Sequence, residues 1–435
     1  MSDIAAMRAT GFRKAGSALM VLLFVAPLAT AAAPRLTWLF LLLLAGGLLI
    51  GFWRQGGNWR QLLRPNPAFL AVLVVVLYAF ISATWSPEPG ATLGKAALLL
   101  GAVLLTLAAS NAISLWDKTE LRQASLAFAA GAFLGALYLL IGILTGNAVQ
   151  RAAEFAVTMD SPEGKNSFAT KFKLGSVRRN VTMLVLHLWP ALLVLTACSK
   201  PSRRLAYTLL FLAAVAVPVF LSGRESAQVA LIGSALVFVA ASTWRRGMSR
   251  GLAAAWCLAF ALILPLTFAA YRAELHMEES LPKSARARVI LWEYTAERVL
   301  ETPWIGIGAD ATPLMREGVT PEQPEGFVYP RTTGAHAHSL FLQVWYELGL
   351  VGAVLVALAG AATALRTTSL SPEAQPFAAA TFATFGASVA FAWGIWQTWL
   401  ICGVALALLY LLIAAHAATG PPASARSGQT GSSAG

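Results

Sequence analysis

Long apolar runs recur along the whole of this sequence, and each is close to the length that a helix needs to cross a bilayer. Such a helix covers about 30 Å of hydrocarbon with about 20 residues. Hydrophobic residues make up 57% of the chain and charged residues 12%, with a mean hydropathy of +0.66. These values lie far outside the range of soluble globular proteins. The sequence therefore predicts an all-α polytopic integral membrane protein.

About twelve spans are predicted. The first is an apolar run that follows a basic start and ends near Ala33, a pattern that a cleavable secretory signal also gives. We interpret it as an uncleaved span, because the next run begins at Leu36 and the Pro34-Arg35 link is typical of a tight helical hairpin. The other spans are expected at about 36–53, 68–84, 92–112, 123–145, 180–198, 205–221, 226–243, 251–270, 339–364, 375–392 and 394–416.

The distribution of basic residues predicts the orientation. Alternate short links hold most of the arginines and lysines, whereas the links between them hold only Arg35, Lys95 and Arg224. Basic links face the cytoplasm, so both termini are expected there, in the bacterial inner membrane. This pattern accounts for the net charge of +12 without a nucleic acid partner.

The predicted domains follow from the same pattern. Residues 1–270 form spans 1 to 9, with an outer loop at about 146–179. Residues 271–338 form a large periplasmic loop domain between spans 9 and 10, residues 339–417 form spans 10 to 12, and residues 418–435 form a disordered cytoplasmic tail. Within the loop domain, Ser284 to Leu300 has the apolar spacing of a short helix.

Two histidines, His336 and His338, stand where the second long loop enters a membrane span. An imidazole at such a boundary can act as a general base towards a substrate that is half lipid and half polar, although a wetted interfacial histidine gives the same pattern. No cysteine or carboxylate lies nearby in the loop, which argues against a metal site. All three cysteines fall inside apolar runs and are interpreted as packing residues.

Glu347 lies within the span that follows these histidines, and we expect that span to be an uninterrupted helix. The carboxylate would lie about 13 Å deeper than His338, so the two cannot share a ligand shell. A carboxylate inside a membrane must be paired, protonated or part of a functional site, and structural pairing is the preferred interpretation.

Several arginines are predicted on the same outer side as the histidines. Arg224 occupies a tight turn, Ser222-Gly-Arg224, where backbone N–H groups and a guanidinium suit a phosphate. Arg288 lies on the short loop helix, and Arg178 and Arg179 end the first long loop. A solvated face explains any one of them, but their convergence favours an anionic substrate.

These features together favour transfer of a sugar from a lipid-linked diphosphate. The chain has no Gly-Lys-Ser/Thr phosphate-binding sequence, so the substrate must be activated before it arrives. A diphosphate held by arginines is itself the leaving group, and a base then has only to remove a proton from an acceptor hydroxyl. Nearby arginine charge is expected to lower the pKa of His338 and keep it neutral.

The motifs resemble those of bacterial O-antigen ligases, within the wider O-antigen polymerase and ligase group of membrane proteins. The resemblance rests on the predicted twelve-span layout with a late periplasmic loop and on five motifs. These are Ser222-Gly-Arg224-Glu-Ser226, Arg288-x-x-x-Trp292, Pro303-Trp-Ile-Gly-Ile-Gly308, His336-Ala-His338-Ser339 and Glu347-x-Gly349-x-x-Gly352. Members of the group often have Asn at the position of Ser339, a departure that weakens a polar role there.

The resemblance implies a glycosyltransferase of the GT-C-like kind. Such an enzyme transfers O-polysaccharide from undecaprenyl pyrophosphate to a sugar of the lipid A core, with inversion and without metal, ATP or another cofactor. The family's catalytic histidine matches His338, and its pyrophosphate-binding arginines match Arg224 and Arg288. His336 belongs to the same motif, while Arg178 and Arg179 are our additions to the substrate-binding set.

Three alternatives stay open from the sequence. An O-antigen polymerase or a protein O-oligosaccharyltransferase would carry the same motifs, because none of them identifies the acceptor. A lipid-linked-sugar transporter would also have about twelve spans, but the chain lacks a paired internal repeat and rows of charges within its spans.

Overall fold

The computed structural model describes residues 2–146, 148, 177–316 and 322–418, with side chains from residue 16 onward. Every regular element in these residues is a helix, and no β-strand occurs among them. The helices are α1 Ser2–Ala32, α2 Thr37–Arg54, α3 Trp59–Leu62, α4 Pro67–Ile81, α5 Pro89–Ala112, α6 Lys118–Leu144, α7 Val177–Cys198, α8 Pro201–Leu221, α9 Glu225–Thr243, α10 Arg245–Arg272, α11 Lys283–Val299, α12 Leu340–Arg366, α13 Gln375–Phe391 and α14 Thr398–Ala418.

Ten of the described helices are long and apolar enough to cross a membrane, which confirms a polytopic all-helical membrane protein. Their bounds lie within a few residues of the predicted spans except at the starts of α6 and α10, which begin five and six residues earlier. The remaining two predicted spans correspond to α1, whose described apolar part is Gly16–Ala32, and to the 17-residue α13. The count of twelve spans therefore stays a prediction.

Helix α7 forms the centre of the bundle. Buried side chains occupy almost all of its surface from Asn180 to Val194, and it packs against α6, α8, α13 and α14. A helix that is apolar all round belongs in the interior rather than at the lipid boundary. Its first turn therefore emerges in the middle of one end of the bundle, and this turn carries Arg178 and Arg179. Their predicted position at the end of a loop was wrong, since both are helical.

The links between helices group at two ends of the bundle. One end, called here the histidine end, holds the links 33–36, 82–88, 222–224, 273–282, 300–316, 322–339 and 392–397. Hydrogen bonds join the segments at this end to one another. Asn180 at the start of α7 donates to the carbonyl of Ala32 over 3.1 Å, and Thr92 donates to the carbonyl of Ala309 over 2.8 Å.

The opposite end, called here the far end, collects the other links. Asn111 donates to the carbonyl of Leu62 over 2.8 Å, and Gln375 donates to the carbonyl of Arg245 over 2.9 Å. Every described link that was predicted to face the cytoplasm lies at this end. The two-end grouping agrees with the predicted alternation, while the side of the membrane that each end faces stays a prediction.

The expected uninterrupted helix after the histidines is wrong, because α12 breaks at Gly349. This residue has φ 64° and ψ −163°, a conformation that essentially only glycine adopts. The break frees the N–H groups of the next turn, and the loop segment Pro303–Gly308 satisfies them. Leu350 N donates to the carbonyl of Pro303 over 2.8 Å, and Gly308 N donates back to the carbonyl of Glu347 over 2.8 Å. Irregular backbone among apolar helices requires such internal partners.

The link between α13 and α14 is longer than predicted. A single residue was expected at position 393, but residues 392–397 are all outside the two helices. Backbone groups of the segment Ala392–Gln397 bond to other segments instead of continuing a helix; Ile395 N, for example, donates to the side chain of Gln343 in α12 over 3.2 Å. This link lies directly against the two histidines.

Candidate active site

His338 has a backbone and a ring that are both held in place. Its φ is 52°, in the left-handed region that non-glycine residues seldom adopt, and it directly precedes Ser339, the N-cap of α12. Its ring Nδ1 lies 2.9 Å from the carbonyl oxygen of Ala392. A carbonyl only accepts, so Nδ1 carries the hydrogen and Nε2 keeps a lone pair. This tautomer is the one that a general base needs.

His336 packs against His338, with ring centroids 4.1 Å apart and ring planes at 67°. Its Nδ1 accepts the backbone N–H of His338 over 3.2 Å. Between them, the carbonyl of buried Ala337 accepts the indole N–H of Trp292 over 2.7 Å, which ties the segment to α11. The histidine segment is therefore fixed by α11 on one side and by the α13–α14 link on the other.

Both imidazoles are held in their neutral form. Burial lowers the pKa of His338 below its usual value of 6.5, the hydrogen bond to Ala392 opposes this, and the charges of Arg288 and Arg178 lower it further. Burial and the charges of His338 and Arg179 lower the pKa of His336 to about 4. The predicted direction for His338 agrees with this, but burial is a larger cause than arginine charge.

Three of the predicted arginines form a cluster around Arg178, and two of them, Arg178 and Arg288, lie near His338. Burial lowers the pKa of Arg224, and the charge of Arg178 lowers it further. Burial likewise lowers the pKa of Arg288, with Glu225 opposing and Arg178 adding to the shift. Among the described residues none of these arginines has a carboxylate within 4 Å, and Nε of Arg224 is buried without a hydrogen-bond partner. Clustered cations with no carboxylate in direct contact form a site for an anion.

Helices α9 and α11 hold Arg224 and Arg288 in this cluster. Arg224 is the N-cap residue of α9 and follows Gly223, whose φ of 62° makes the tight turn. The hydroxyl of Ser284 donates to the carboxylate of Glu225 over 2.6 Å and thereby joins the start of α11 to the start of α9. The predicted turn and the predicted loop helix thus meet at the site.

Arg179 points to the other side of the histidines. Consecutive helical residues are rotated by about 100°, so Arg179 diverges from Arg178. Its guanidinium lies over the rings of Trp393 and Trp399, 5.9 and 5.8 Å from their centroids. Nε and one terminal nitrogen of Arg179 are buried without a hydrogen-bond partner among the described residues. Its charge acts on His336 rather than on His338.

Sequence reasoning missed the α13–α14 link as part of the site. Its main-chain carbonyl at Ala392 binds His338, and its Trp393 contacts Arg179 together with Trp399 at the start of α14. The spacing of Trp393, Trp396 and Trp399 at every third residue was the available signal, since three indoles so close together rarely serve lipid contact alone. No cluster of three or more His, Cys, Asp or Glu side chains occurs in the part of the chain that the structure describes.

The fold and this site define a class: a polytopic membrane protein with a buried pair of histidines and a group of arginines at one end of the bundle. Residues 208–357, about a third of the chain, match the family model described as O-antigen ligase. This match confirms the resemblance drawn from the motifs and supports an O-antigen ligase family assignment. No curated protein matches the chain.

The family match carries a coarse functional conclusion. It implies a glycosyl-transferring enzyme with ligase or polymerase-like activity, lipid-linked polysaccharide substrates and association with a membrane. The matched residues include Arg224, Arg288, His336 and His338, whereas Arg178 lies before them.

Proposed function

We propose that the protein is an O-antigen ligase. It transfers O-polysaccharide from undecaprenyl pyrophosphate to the lipid A-core oligosaccharide, on the periplasmic face of the inner membrane, in lipopolysaccharide biosynthesis. One observation carries the proposal: His338, with its Nε2 lone pair free, lies near Arg288 and Arg178, and Arg178 in turn lies near Arg224. The histidine end of the bundle is then the periplasmic end, as the distribution of basic residues predicts.

The arginine cluster binds the diphosphate of the donor. A guanidinium donates two parallel hydrogen bonds to phosphate oxygens, and burial strengthens each of them. Arg178, Arg224 and Arg288 reach the site from α7, from the α8–α9 turn and from α11. Their positive charge also stabilises the diphosphate as it leaves, so the proposed step needs neither ATP nor a metal ion. The polyprenyl tail stays among lipids beside the apolar helices.

His338 acts as the general base in a single displacement. Its Nε2 takes the proton of the acceptor hydroxyl, whose oxygen forms a bond to the anomeric carbon. The bond from that carbon to the diphosphate oxygen breaks, and the electron pair leaves with undecaprenyl pyrophosphate. Attack from the side opposite the leaving group inverts the anomeric centre. General-base help of this kind contributes about 10²- to 10⁴-fold to a rate.

The remaining predicted residues have supporting roles. His336 accepts the backbone N–H of His338 and so helps to hold the base in its left-handed conformation. Arg179 lies on the His336 side and binds the part of the substrate that enters there. Neither of these residues takes part in the proton transfer itself.

A panel of acceptors tests the ligase assignment against its nearest rivals. Purified protein in lipid nanodiscs is given undecaprenyl-pyrophosphate glycan together with lipid A core, with a second donor molecule as acceptor, or with a glycosylatable protein. A ligase makes product only with lipid A core. Glycan extension on a second donor would identify a polymerase, and glycosylated protein would identify an oligosaccharyltransferase. No product with any acceptor would reject a glycosyltransferase.

The arginine roles have a separate prediction. Arg224→Ala and Arg288→Ala should each raise the KM for the donor about tenfold or more, because each removes a charge-assisted bond to phosphate worth about 1.5–3 kcal/mol. Arg298→Ala is the matched control, since Arg298 lies at the end of the same helix as Arg288 and pairs with the exposed Glu301. Equal donor KM values for all three variants would contradict a diphosphate site here.

A further inference from the structure

Glu347 is a fully buried carboxylate that the proposed mechanism does not use. It is 0% exposed and lies in α12 two residues before the break at Gly349. A carboxylate in such surroundings is costly unless its oxygens receive hydrogen bonds. The described residues form no salt bridge to it, so its partners are neutral. The predicted structural pairing is therefore present, but through hydrogen bonds instead of an opposite charge.

The donors to Glu347 come from three separate segments. The loop contributes the backbone N–H of Asp310 over 3.2 Å, and the backbone N–H and hydroxyl of Thr312. The amide of Gln343, one turn earlier in α12, donates over 3.0 Å. The indole N–H of Trp396 donates from the α13–α14 link. One carboxylate thus joins the loop, the helix and the link.

The same link carries the carbonyl that fixes His338. Ala392 accepts from Nδ1 of His338, and Trp396 lies four residues further along. Two more contacts hold the segment between them: Ile395 N donates to Gln343 over 3.2 Å, and Lys95 donates to the carbonyl of Trp396 over 3.3 Å.

Lys95 forms a second connection between the loop and the α13–α14 link. Its ammonium forms an ion pair with Asp310 over 3.3 Å, and Asp310 in turn donates its backbone N–H to Glu347. The loop and the link are therefore joined twice, once through Glu347 and once through Lys95. Ala392 to Trp396 lie outside both flanking helices, so contacts with other segments hold Ala392 in position.

We propose that Glu347 is a positioning residue for the base. By holding Trp396 and Gln343, its carboxylate keeps the Ala392–Gln397 link against α12, and the Ala392 carbonyl then selects the His338 tautomer whose Nε2 can accept a proton. The proposal rests on the function proposed for His338. Groups that orient a histidine through its second nitrogen commonly change activity by about 10- to 100-fold when they are lost.

The tautomer of His338 is the direct readout. Protein labelled with ¹⁵N-histidine is examined by NMR without substrate, and the His338 signals are identified by their loss in His338→Gln. Wild type should have its hydrogen on Nδ1. In Glu347→Gln, both tautomers of His338 should be populated, with the hydrogen on Nδ1 or on Nε2. The kcat should fall about tenfold or more, with donor KM little changed. In wild type, the donors around Glu347 bond to two carboxylate oxygens. A glutamine has only one acceptor oxygen, and in either orientation its NH₂ group faces some of these donors.

Two further variants keep the test decisive if Glu347→Gln does not fold. Trp396→Phe removes only the link-side donor, and it should also mix the tautomers. Glu293→Gln is the matched control, because Glu293 is a buried carboxylate that pairs with Arg331 and does not contact the link. A wild-type tautomer and kcat in Trp396→Phe would overturn the proposal. A mixed tautomer in protein that transfers no glycan would support positioning by Glu347 while rejecting the function proposed for the site.

Discussion

At the scale of single residues, His338 combines a strained backbone with a ring held by a main-chain carbonyl. A non-glycine residue in a sparsely populated conformation costs about 1–3 kcal/mol, and surrounding contacts must offset this. Here Ala392 binds the ring, His336 binds the N–H, and Trp292 binds the carbonyl of the residue between them. The three contacts hold the strained conformation and the ring in place.

The pH dependence of transfer follows from the environment of this residue. Burial lowers the pKa of His338, and Arg288 and Arg178 lower it further, so the neutral base should persist below pH 6.5. We expect kcat/KM for the donor to be constant around neutral pH and to fall only as pH drops below 6.5, because protonation removes the base. A bound diphosphate offsets the arginine charge, so the acid limb of kcat should lie at higher pH than that of kcat/KM. A kcat/KM limb above pH 6.5 would contradict this environment.

The site residues that could be predicted from the sequence differ in their chemistry from those that could not. His338 and the arginines were detectable because charged and titratable groups are rare in a chain with 12% charged residues. The Ala392 carbonyl was not, since every residue carries one and this one is 54 positions away from its partner. Arg178 and Arg179 were predicted together as substrate-binding residues. That they point to different sides of the histidines follows only from the place of α7 at the centre of the bundle.

At the scale of elements, the break in α12 and the loop that fills it form one unit. Gly349 approaches the backbone of Trp304 and Ile305 so closely that a side chain would overlap them. Hydrogen bonds run in both directions between the loop and the broken helix. The loop is thereby anchored at the depth of Glu347, about 10 Å along the helix from its start at Leu340. In the sequence, Gly349 and Gly352 indicate only close packing, because a glycine break depends on a partner that is distant in the chain.

This unit predicts a large difference between two glycine substitutions. Gly349→Ala should destabilise the protein by about 2–4 kcal/mol, because alanine is strained at φ 64° and its Cβ would overlap the loop. Gly233→Ala is the control, since Gly233 lies inside α9 with nothing within 4 Å of an added Cβ. Apparent melting temperatures in detergent provide the comparison. Equal melting temperatures for the two variants would mean that the stability of the protein does not depend on the break at Gly349.

At the scale of the whole molecule, a buried central helix places the site where several links converge. Most of the helix bounds could be predicted, because the length of an apolar run and the charges at its ends constrain them. The central place of α7 could not, since an apolar run gives no sign of whether lipid or protein surrounds it. The span count stays undecided for a similar reason: α13 is shorter than the helices around it and has three polar side chains, Gln375, Thr384 and Ser388, buried against its neighbours.

The sidedness of the bundle has its own test. Glu279 is exposed at the histidine end, and Ser242 is exposed at the far end. We expect a membrane-impermeant maleimide to label Glu279→Cys in intact spheroplasts, and to label Ser242→Cys only after the membrane is permeabilised. The three native cysteines are replaced by alanine or serine beforehand. The reverse labelling pattern would place the site in the cytoplasm and reject transfer at the periplasmic face.

The central claim is that His338 removes the proton of a lipid A-core hydroxyl while the arginines hold the diphosphate. The most direct measurement is the initial rate of transfer from undecaprenyl-pyrophosphate glycan to lipid A core, with purified wild type and His338→Ala compared in EDTA. We expect wild type to transfer glycan at an unchanged rate in EDTA and His338→Ala to lose about 10²-fold or more of it, with donor KM little changed. Full activity in His338→Ala would contradict the account, because the imidazole would then be only an interfacial residue.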